Sequence, residues 1–150
     1  MTEMLFYHLH GQPLERVLPT LLERSLERGW RVIVQSSSEE RVEALDAQLW
    51  TFRDDSFLPH GTHKEPTAAE QPILLTVDDG NPNGATVRFL IDGAPMPADA
   101  KAYARIVLMF DGADEDAVAD ARLRWTGAKG EGFEVTYWQT DEAGRWVKKA

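Results

Sequence analysis

Short apolar runs alternate with amphipathic helical segments in the N-terminal part of the chain, and this order restricts the possible folds more than any other feature. Residues 4–9 (MLFYHL) and 30–35 (WRVIVQ) are rich in strand-forming residues. Residues 14–28 carry leucine and valine at helical spacing, and Ser37 with Glu40 has the pattern of a capping box that starts a second helix. The order strand, helix, strand, helix predicts an α/β fold with a parallel sheet and right-handed crossovers.

The boundaries of these two helices are less certain from the pattern than their existence. Pro19 falls inside the first segment, so either the helix contains a kink there or it begins near Pro19 after an irregular turn. The second helix is predicted to reach about Phe52, and a long loop is predicted over residues 53–72.

The remaining chain continues as strands with one long helix. The predicted strands cover residues 72–77, 86–91, 104–110 and 133–140, and the last of them is followed by a turn at residues 141–144 that leads toward residues 145–147. The helix is predicted to begin near Asp114, where an acidic first turn suits the helix dipole, and to fade over residues 127–132. A length of 150 residues with ordinary globular composition predicts one domain over residues 1–150.

Charge and cysteine content exclude several classes of protein. A formal net charge of −9 disfavours direct, non-specific binding to nucleic acid. The absence of cysteine excludes disulfides and thiolate zinc sites and fits a reducing cytoplasm. No apolar run approaches the roughly 20 residues that span a bilayer, and the N-terminus lacks the basic region of a signal peptide. Residues 122–149, however, carry six basic residues against four acids, and such a local basic patch can select an acidic peptide.

The sequence motifs of catalysis and cofactor binding are missing. The first strand–helix junction, residues 8–13, has one glycine and a proline where nucleotide-binding proteins have a glycine-rich loop. The pairs His8/His10 and His60/His63 lack further metal ligands at convincing spacing. We therefore predict no catalytic residue, no metal and no cofactor. A nucleotide- or metal-dependent enzyme that uses the acidic residues after the fifth strand stays open as the alternative.

Two segments carry side chains that a scaffold does not obviously need. Trp50 ends the second predicted helix and leads into a loop with Phe57, Leu58 and Pro59, so this apolar area either folds onto the core or covers a partner. On the last helix, four residues share one face at spacings of four, three and four. These are Val118, Arg122, Trp125 and Lys129. An aromatic ring between cations suits an acidic chain end, but Trp125 could equally point inward beneath the cations.

The motifs resemble one known family. The order of elements, an F-Y-x-L first strand and an L-D-x-x-L-W…S-F-x-P-H signature are similar to those of the chi subunits of bacterial DNA polymerase III. The residues that carry the motifs are Phe6, Tyr7, Leu9, Leu45, Asp46, Leu49, Trp50, Ser56, Phe57, Pro59 and His60. The resemblance implies a three-layer Rossmann-like fold with a mostly parallel central sheet and no nucleotide site. It implies a non-catalytic accessory subunit of the clamp loader that meets DNA only indirectly and has no membrane partner.

The resemblance also implies two protein partners. One is the psi subunit, which tethers chi to the clamp loader, and the residues implied are Trp50, Phe57, Leu58, Pro59 and His60. The other is the acidic C-terminal tail of single-stranded DNA-binding protein, which ends in an apolar residue with a free carboxylate. The residues implied for this tail are Val118, Arg122, Arg124, Trp125, Thr126 and Lys129. The family often has a lysine where this chain has Thr126. Either Lys129 or Arg124 replaces that charge, or the tail binds with lower affinity. An adaptor for another acidic peptide stays open as a further alternative.

Overall fold

The fold is an α/β arrangement built on one eight-stranded sheet, and the α/β class is the one that the sequence predicts. The structure is a computed structural model that describes residues 1–51 and 58–150. The strands are β1 (Glu3–Leu9), β2 (Val32–Ser36), β3 (His60–Thr62), β4 (Ile73–Thr76), β5 (Val87–Ile91), β6 (Arg105–Asp111), β7 (Glu134–Thr140) and β8 (Trp146–Lys148). The helices are α1 (Leu14–Glu27), α2 (Glu39–Leu49) and α3 (Glu115–Gly130), with short 3-10 helices at Ala68–Glu70 and Ala100–Ala102.

The strand order is β3-β4-β2-β5-β6-β1-β7-β8, and only β8 runs antiparallel to its neighbour. The apolar residues of α1 and α2 pack on one face of the sheet, and those of α3 pack on the other. The central strands β2, β4 and β5 are buried along their whole length because helices or loops cover both faces. The helices therefore lie on both sides of a mostly parallel sheet, in the layered arrangement that the sequence predicts.

Helix α1 contains its proline. It begins at Leu14, so the alternative start near Pro19 is wrong. Pro19 has no amide hydrogen for the carbonyl of Glu15, one turn earlier, and the side-chain amide of Gln48 on α2 donates to that carbonyl instead. A contact between the two helices thus satisfies the group that the proline leaves free.

Helix α2 departs from its predicted start and end. Its N-cap is Ser38, whose hydroxyl accepts from the Arg41 amide at 3.2 Å, so the capping box assigned to Ser37 is wrong by one residue. Ser37 instead donates to the backbone carbonyl of Asp92. The helix ends at Leu49, and Phe52 lies outside the described residues.

The region predicted as a long loop contains a strand. Residues 60–62 form β3, which pairs in parallel with β4 at the edge of the sheet. This strand is too short to give a periodic signal, and it is held by its pairing to β4. No helix within residues 1–51 and 58–150 is long and apolar enough to cross a bilayer.

Arg88 is a fully buried charged residue in the centre of the sheet. All five of its N–H groups are used. They bond Gln35 Oε1 twice, at 2.7 and 3.0 Å, and the Tyr103 hydroxyl and the carbonyls of Asp78 and Gly80 at 2.7–3.0 Å. This side chain therefore joins two strands, the turn after β4 and the segment before β6, which explains how a buried guanidinium without a carboxylate partner is accommodated.

Candidate functional site

The predicted face of α3 lies over the sheet beside β7. The Trp125 ring is half-buried and meets the Phe6 ring of β1 edge-on, with centroids 5.3 Å apart. It meets Tyr137 of β7 edge-on at 5.9 Å, and Phe6 and Tyr137 stack at 6.4 Å. Two aromatic rings from two strands therefore hold Trp125 in place, and part of its surface remains accessible to solvent.

Two cations of α3 lie near this aromatic group, Lys129 at Trp125 and Arg122 near Tyr137. The Lys129 ammonium lies 5.5 Å from the Trp125 centroid, and the exposed Arg122 acts electrostatically on the Tyr137 hydroxyl. Burial raises the pKa of Tyr137, and the Arg122 charge opposes that rise. Within the described part of the chain, neither Arg122 nor Lys129 forms an ion pair with a carboxylate. Among the described residues, no carboxylate neutralises these two charges in an ion pair.

Arg124 lies on the other side of α3. Its guanidinium pairs with Asp120 at 2.9 Å and donates to the carbonyls of Ala94 at 2.6 Å and Gly93 at 3.2 Å. The structure therefore does not bring Arg124 to Trp125. Of the two side chains considered as substitutes for the missing lysine at Thr126, only Lys129 lies beside the aromatic ring.

The other two residues predicted for the tail site, Val118 and Thr126, differ in burial and in their contacts. Val118 is half-buried and packs against the apolar layer beneath α3. Thr126 is exposed, and its hydroxyl donates to the Arg122 carbonyl at 3.3 Å. Val118 can therefore extend the apolar side of the site, whereas Thr126 brings no charge to it.

His8 supports the site from below. Its Nδ1 lies 2.7 Å from the Tyr137 hydroxyl, and its ring meets Phe110 edge-on at 5.2 Å. Gly112 is close to the same ring, where a Cβ atom would collide with His8 Nε2. The hydrogen bond fixes the orientation of Tyr137, and through Tyr137 that of Trp125.

The environment of His8 predicts a pH dependence of stability. Burial lowers the pKa of His8, nearby His10 lowers it further, and Asp111 opposes both. In the unfolded chain, the His8 imidazole takes up a proton near pH 6.5, whereas in the folded protein the same imidazole takes it up at lower pH. The contribution of His8 to the free energy of unfolding is therefore fully present above about pH 6.5, and it is lost as the pH falls through the pKa of His8 in the folded protein.

We expect His8→Phe to show a smaller loss of stability than the wild-type protein between about pH 7.5 and pH 5.5. Urea unfolding followed by circular dichroism at the two pH values measures this difference. Equal losses in the two proteins would contradict the assignment, whatever the stability of the variant at neutral pH.

The second predicted site lies at the end of α2. The Trp50 side chain is 54% exposed, and its ring centroid lies 4.4 Å from that of His60. His60 is buried, with Nδ1 2.7 Å from the Leu58 carbonyl and Nε2 3.1 Å from the Asp46 carboxylate. His60 thus fixes the end of α2 to β3 and supports the exposed indole.

The other residues predicted for this second site differ in their exposure to solvent. Leu58 is 2% exposed, so its side chain belongs to the apolar layer beneath α1 and α2. Pro59 is half-buried, and Phe57 lies outside the described residues. Trp50 and Pro59 therefore reach the surface, while Leu58 and His60 support it from within.

Comparison with known proteins decides the family. The family described as "DNA polymerase III chi subunit, HolC" matches residues 1–136. The chain belongs to this family.

Two curated relatives carry the same description. A probable DNA polymerase III subunit chi of Rickettsia prowazekii (strain Madrid E) is 26% identical over 121 residues, which cover 74% of this chain and 71% of that protein. The DNA polymerase III subunit chi of Pseudomonas aeruginosa (strain PAO1) is 33% identical over 95 residues, covering 61% of this chain and 64% of that protein. This chi-family chain is accordingly an accessory replisome component and not a catalytic subunit.

The crevice at the carboxyl ends of the parallel strands is consistent with that assignment. Enzymes with this architecture bind nucleotides there. Here a cavity of about 830 Å³ is lined by carboxylates, namely Glu15, Asp92, Asp111, Asp114, Asp116 and Asp120, and by the side chains of Arg41 and Arg124. Arg41 pairs with Glu15 and Asp92, and Arg124 pairs with Asp120. The remaining negative charge repels phosphate, so this chi-family crevice does not suit a nucleotide.

His60 and His63, one of the two histidine pairs considered as metal ligands, make contacts within the fold. His63 lies 2.9 Å from the Glu39 carboxylate, and His60 bridges α2 and β3. No group of three or more potential metal ligands occurs among residues 1–51 and 58–150.

Sequence reasoning missed Phe6, His8 and Tyr137 as partners of Trp125. These residues lie on β1 and β7, far from α3 along the chain, and they become neighbours only because β7 pairs with β1. Val135 and Tyr137 are two residues apart on β7, so the sequence does predict that they share one face of the sheet. It does not predict which helix covers that face.

Proposed function

We propose that this chi-family chain is a non-catalytic adaptor that binds the psi subunit at Trp50 and the acidic tail of single-stranded DNA-binding protein at Trp125. The observation that carries the proposal is that Lys129 lies beside a half-buried Trp125 while Arg122 acts on the neighbouring Tyr137, and neither cation has a carboxylate partner among the described residues. Unneutralised cations beside an aromatic wall suit a negatively charged chain end with an apolar last residue.

Lys149 follows the last strand, β8, which pairs with β7. The Lys149 amide donates to the Tyr137 carbonyl at 2.7 Å. Trp146 contacts Tyr7 on the face that carries α1, and alternation therefore directs Val147 and Lys149 toward the face that carries α3. Lys149 can thus contribute a third cation, which supports recognition of several acidic residues of the tail.

The positions of the two sites suit an adaptor. Trp50 and His60 lie at the β3 edge, whereas Trp125 and Tyr137 lie over β7, six strand spacings away. At about 4.8 Å per spacing, the sites are roughly 29 Å apart across the sheet. They also lie on opposite faces, because α2 and α3 cover opposite faces. Both partners can therefore bind at once, as a link between the clamp loader and the single-stranded DNA-binding protein requires. A cytoplasmic location, where replication occurs, is part of this proposal.

We expect Arg122→Ala to weaken binding of a tail peptide about tenfold, because it removes one charge-assisted hydrogen bond worth about 1.5 kcal/mol. Isothermal titration calorimetry with the last residues of the single-stranded DNA-binding protein from the same organism measures the affinity. Affinity should also fall with salt, since ion pairs at a partly exposed site are screened.

Arg124→Ala is the matched control, because it removes the same charge from the same helix on the side away from Trp125. Its affinity for the tail peptide should stay within about twofold of wild type. A peptide amidated at its C-terminus tests the need for the terminal carboxylate. Equal affinities of Arg122→Ala and wild type would exclude this site.

A further inference from the structure

A second tryptophan flanked by arginines lies on the face of the sheet opposite Trp125. Trp30 precedes β2 and packs with the layer formed by α1 and α2. The Arg28 guanidinium carbon lies 4.9 Å from the Trp30 centroid, and the Arg105 guanidinium carbon lies 5.0 Å from it. Arg28 follows the end of α1 and Arg105 begins β6, so two distant parts of the chain direct cations to one ring.

A third arginine completes this group. A cavity of about 90 Å³ is lined by Arg24, Arg28 and Arg105 together with Trp30 and Tyr7. Burial raises the pKa of Tyr7, and the charges of Arg105, Arg24 and Arg28 oppose that rise, so all three arginines act on the same phenol. We call the surface formed by these five residues the Trp30 cluster.

The positive charge of the Trp30 cluster is only partly neutralised. Arg105 pairs with Glu3 at 3.0 Å. Arg24 and Arg28 are exposed, and the part of the chain that the structure describes offers neither of them a carboxylate within ion-pairing distance. The helix dipole favours a basic residue in the last turn of α1, which explains Arg24. It does not explain why Arg105 from β6 lines the same cavity.

We propose that the Trp30 cluster is a docking surface for a short acidic segment of a partner protein, separate from the site at Trp125. Guanidinium groups held against an indole keep their N–H edges directed outward, where they can donate to carboxylates. The small cavity accommodates one acidic group, with further carboxylates on Arg24 and Arg28 at the surface.

A protein segment suits this surface better than single-stranded nucleic acid. Both arginines already lie against the Trp30 ring, which reduces the area on which a base could stack. A phosphate chain that extends beyond the cluster also meets a protein of net charge −9, whereas a short acidic segment can remain within the three arginines.

The test uses the five tryptophans as separate reporters. An acetylated and amidated hexaglutamate peptide is titrated into the ¹⁵N-labelled full chain at about 50 mM salt, where charge interactions are weakly screened. We expect a saturable shift of the Trp30 indole resonance, assigned with Trp30→Phe, that disappears at about 500 mM salt. The probe lacks a terminal carboxylate, so it distinguishes the Trp30 cluster from the site proposed for the tail.

Two variants, one within α1 and one directly after it, make the comparison of peptide affinities quantitative. Arg28→Gln should weaken peptide binding about five- to tenfold, because one partly exposed charge-assisted hydrogen bond is lost. Arg16→Gln removes the same charge from an exposed position nearer the start of α1 and should change binding less than twofold. Both residues are exposed, so neither variant is expected to unfold the protein.

Three outcomes would overturn the proposal. The first is that the peptide does not shift the Trp30 resonance. The second is that Arg28→Gln and Arg16→Gln weaken peptide binding equally. The third is that a ten-nucleotide oligothymidine shifts the Trp30 resonance at a lower concentration than the peptide does. A peptide that shifts only Trp125 would likewise exclude the Trp30 cluster while leaving the proposed tail site in place.

Discussion

Arg88→Met is expected to lower the free energy of unfolding by about 3 kcal/mol. The substitution keeps a long side chain but leaves Gln35 Oε1, the Tyr103 hydroxyl and two backbone carbonyls without the donors that Arg88 provides. Each buried acceptor without a partner costs about 1–3 kcal/mol. The methionine variant no longer buries a charged guanidinium, and the desolvation cost that it avoids offsets part of this loss of stability. Urea denaturation monitored by circular dichroism measures the change.

Arg16→Met is the control for this prediction. Arg16 is exposed on α1, and its substitution should change stability by less than about 0.5 kcal/mol. Arg88→Lys keeps the charge but has three donors in place of five, so it should also destabilise the protein. A stability of Arg88→Met within 1 kcal/mol of wild type would show that the hydrogen bonds of Arg88 contribute little net free energy.

Trp50→Ala is expected to weaken binding to the psi subunit at least about 30-fold, which is enough to abolish co-purification. An exposed indole at a protein interface is the kind of side chain that dominates binding energy, and Trp50 is 54% exposed at the end of α2. Binding of the tail peptide at Trp125 should be unchanged, because the two sites lie at opposite ends of the sheet. Co-expression with tagged psi and calorimetry with the tail peptide measure the two effects on the same variant.

Leu123→Ala is the matched control, since it truncates another large apolar side chain, 75% exposed on α3. It should co-purify with psi as wild type does. Retention of psi by Trp50→Ala would exclude Trp50 from that interface. Simultaneous loss of psi and tail binding would indicate unfolding, which the melting curve of the variant distinguishes from a local effect.

The two proposed partner sites and the Trp30 cluster each contain a tryptophan ring that neighbouring side chains hold in place. Trp125 is held by Phe6 and Tyr137, and Trp50 rests on His60. Trp30 lies against two guanidinium groups. Rings that are already ordered in the free protein lose little side-chain entropy when a partner covers them, which favours binding through small surfaces.

The sequence by itself determined the fold class, the order of its major elements and the shared helical face of Arg122, Trp125 and Lys129. These features follow from local periodicity, because residues three or four apart on a helix are neighbours wherever the helix lies. The family follows from the same local motifs, and the match over residues 1–136 confirms it.

Only the tertiary structure decided which strands are neighbours, and with them the surroundings of each side chain. The pairing of β1 with β7 brings Tyr137 and His8 to Trp125, and the packing of α3 directs Arg124 away from it. The sequence alone does not decide whether α1 begins at Leu14 or near Pro19, because the donor that bonds the Glu15 carbonyl in place of the missing Pro19 amide comes from α2. Contacts between residues distant along the chain depend on strand order and packing, which local patterns of apolar and polar residues do not encode.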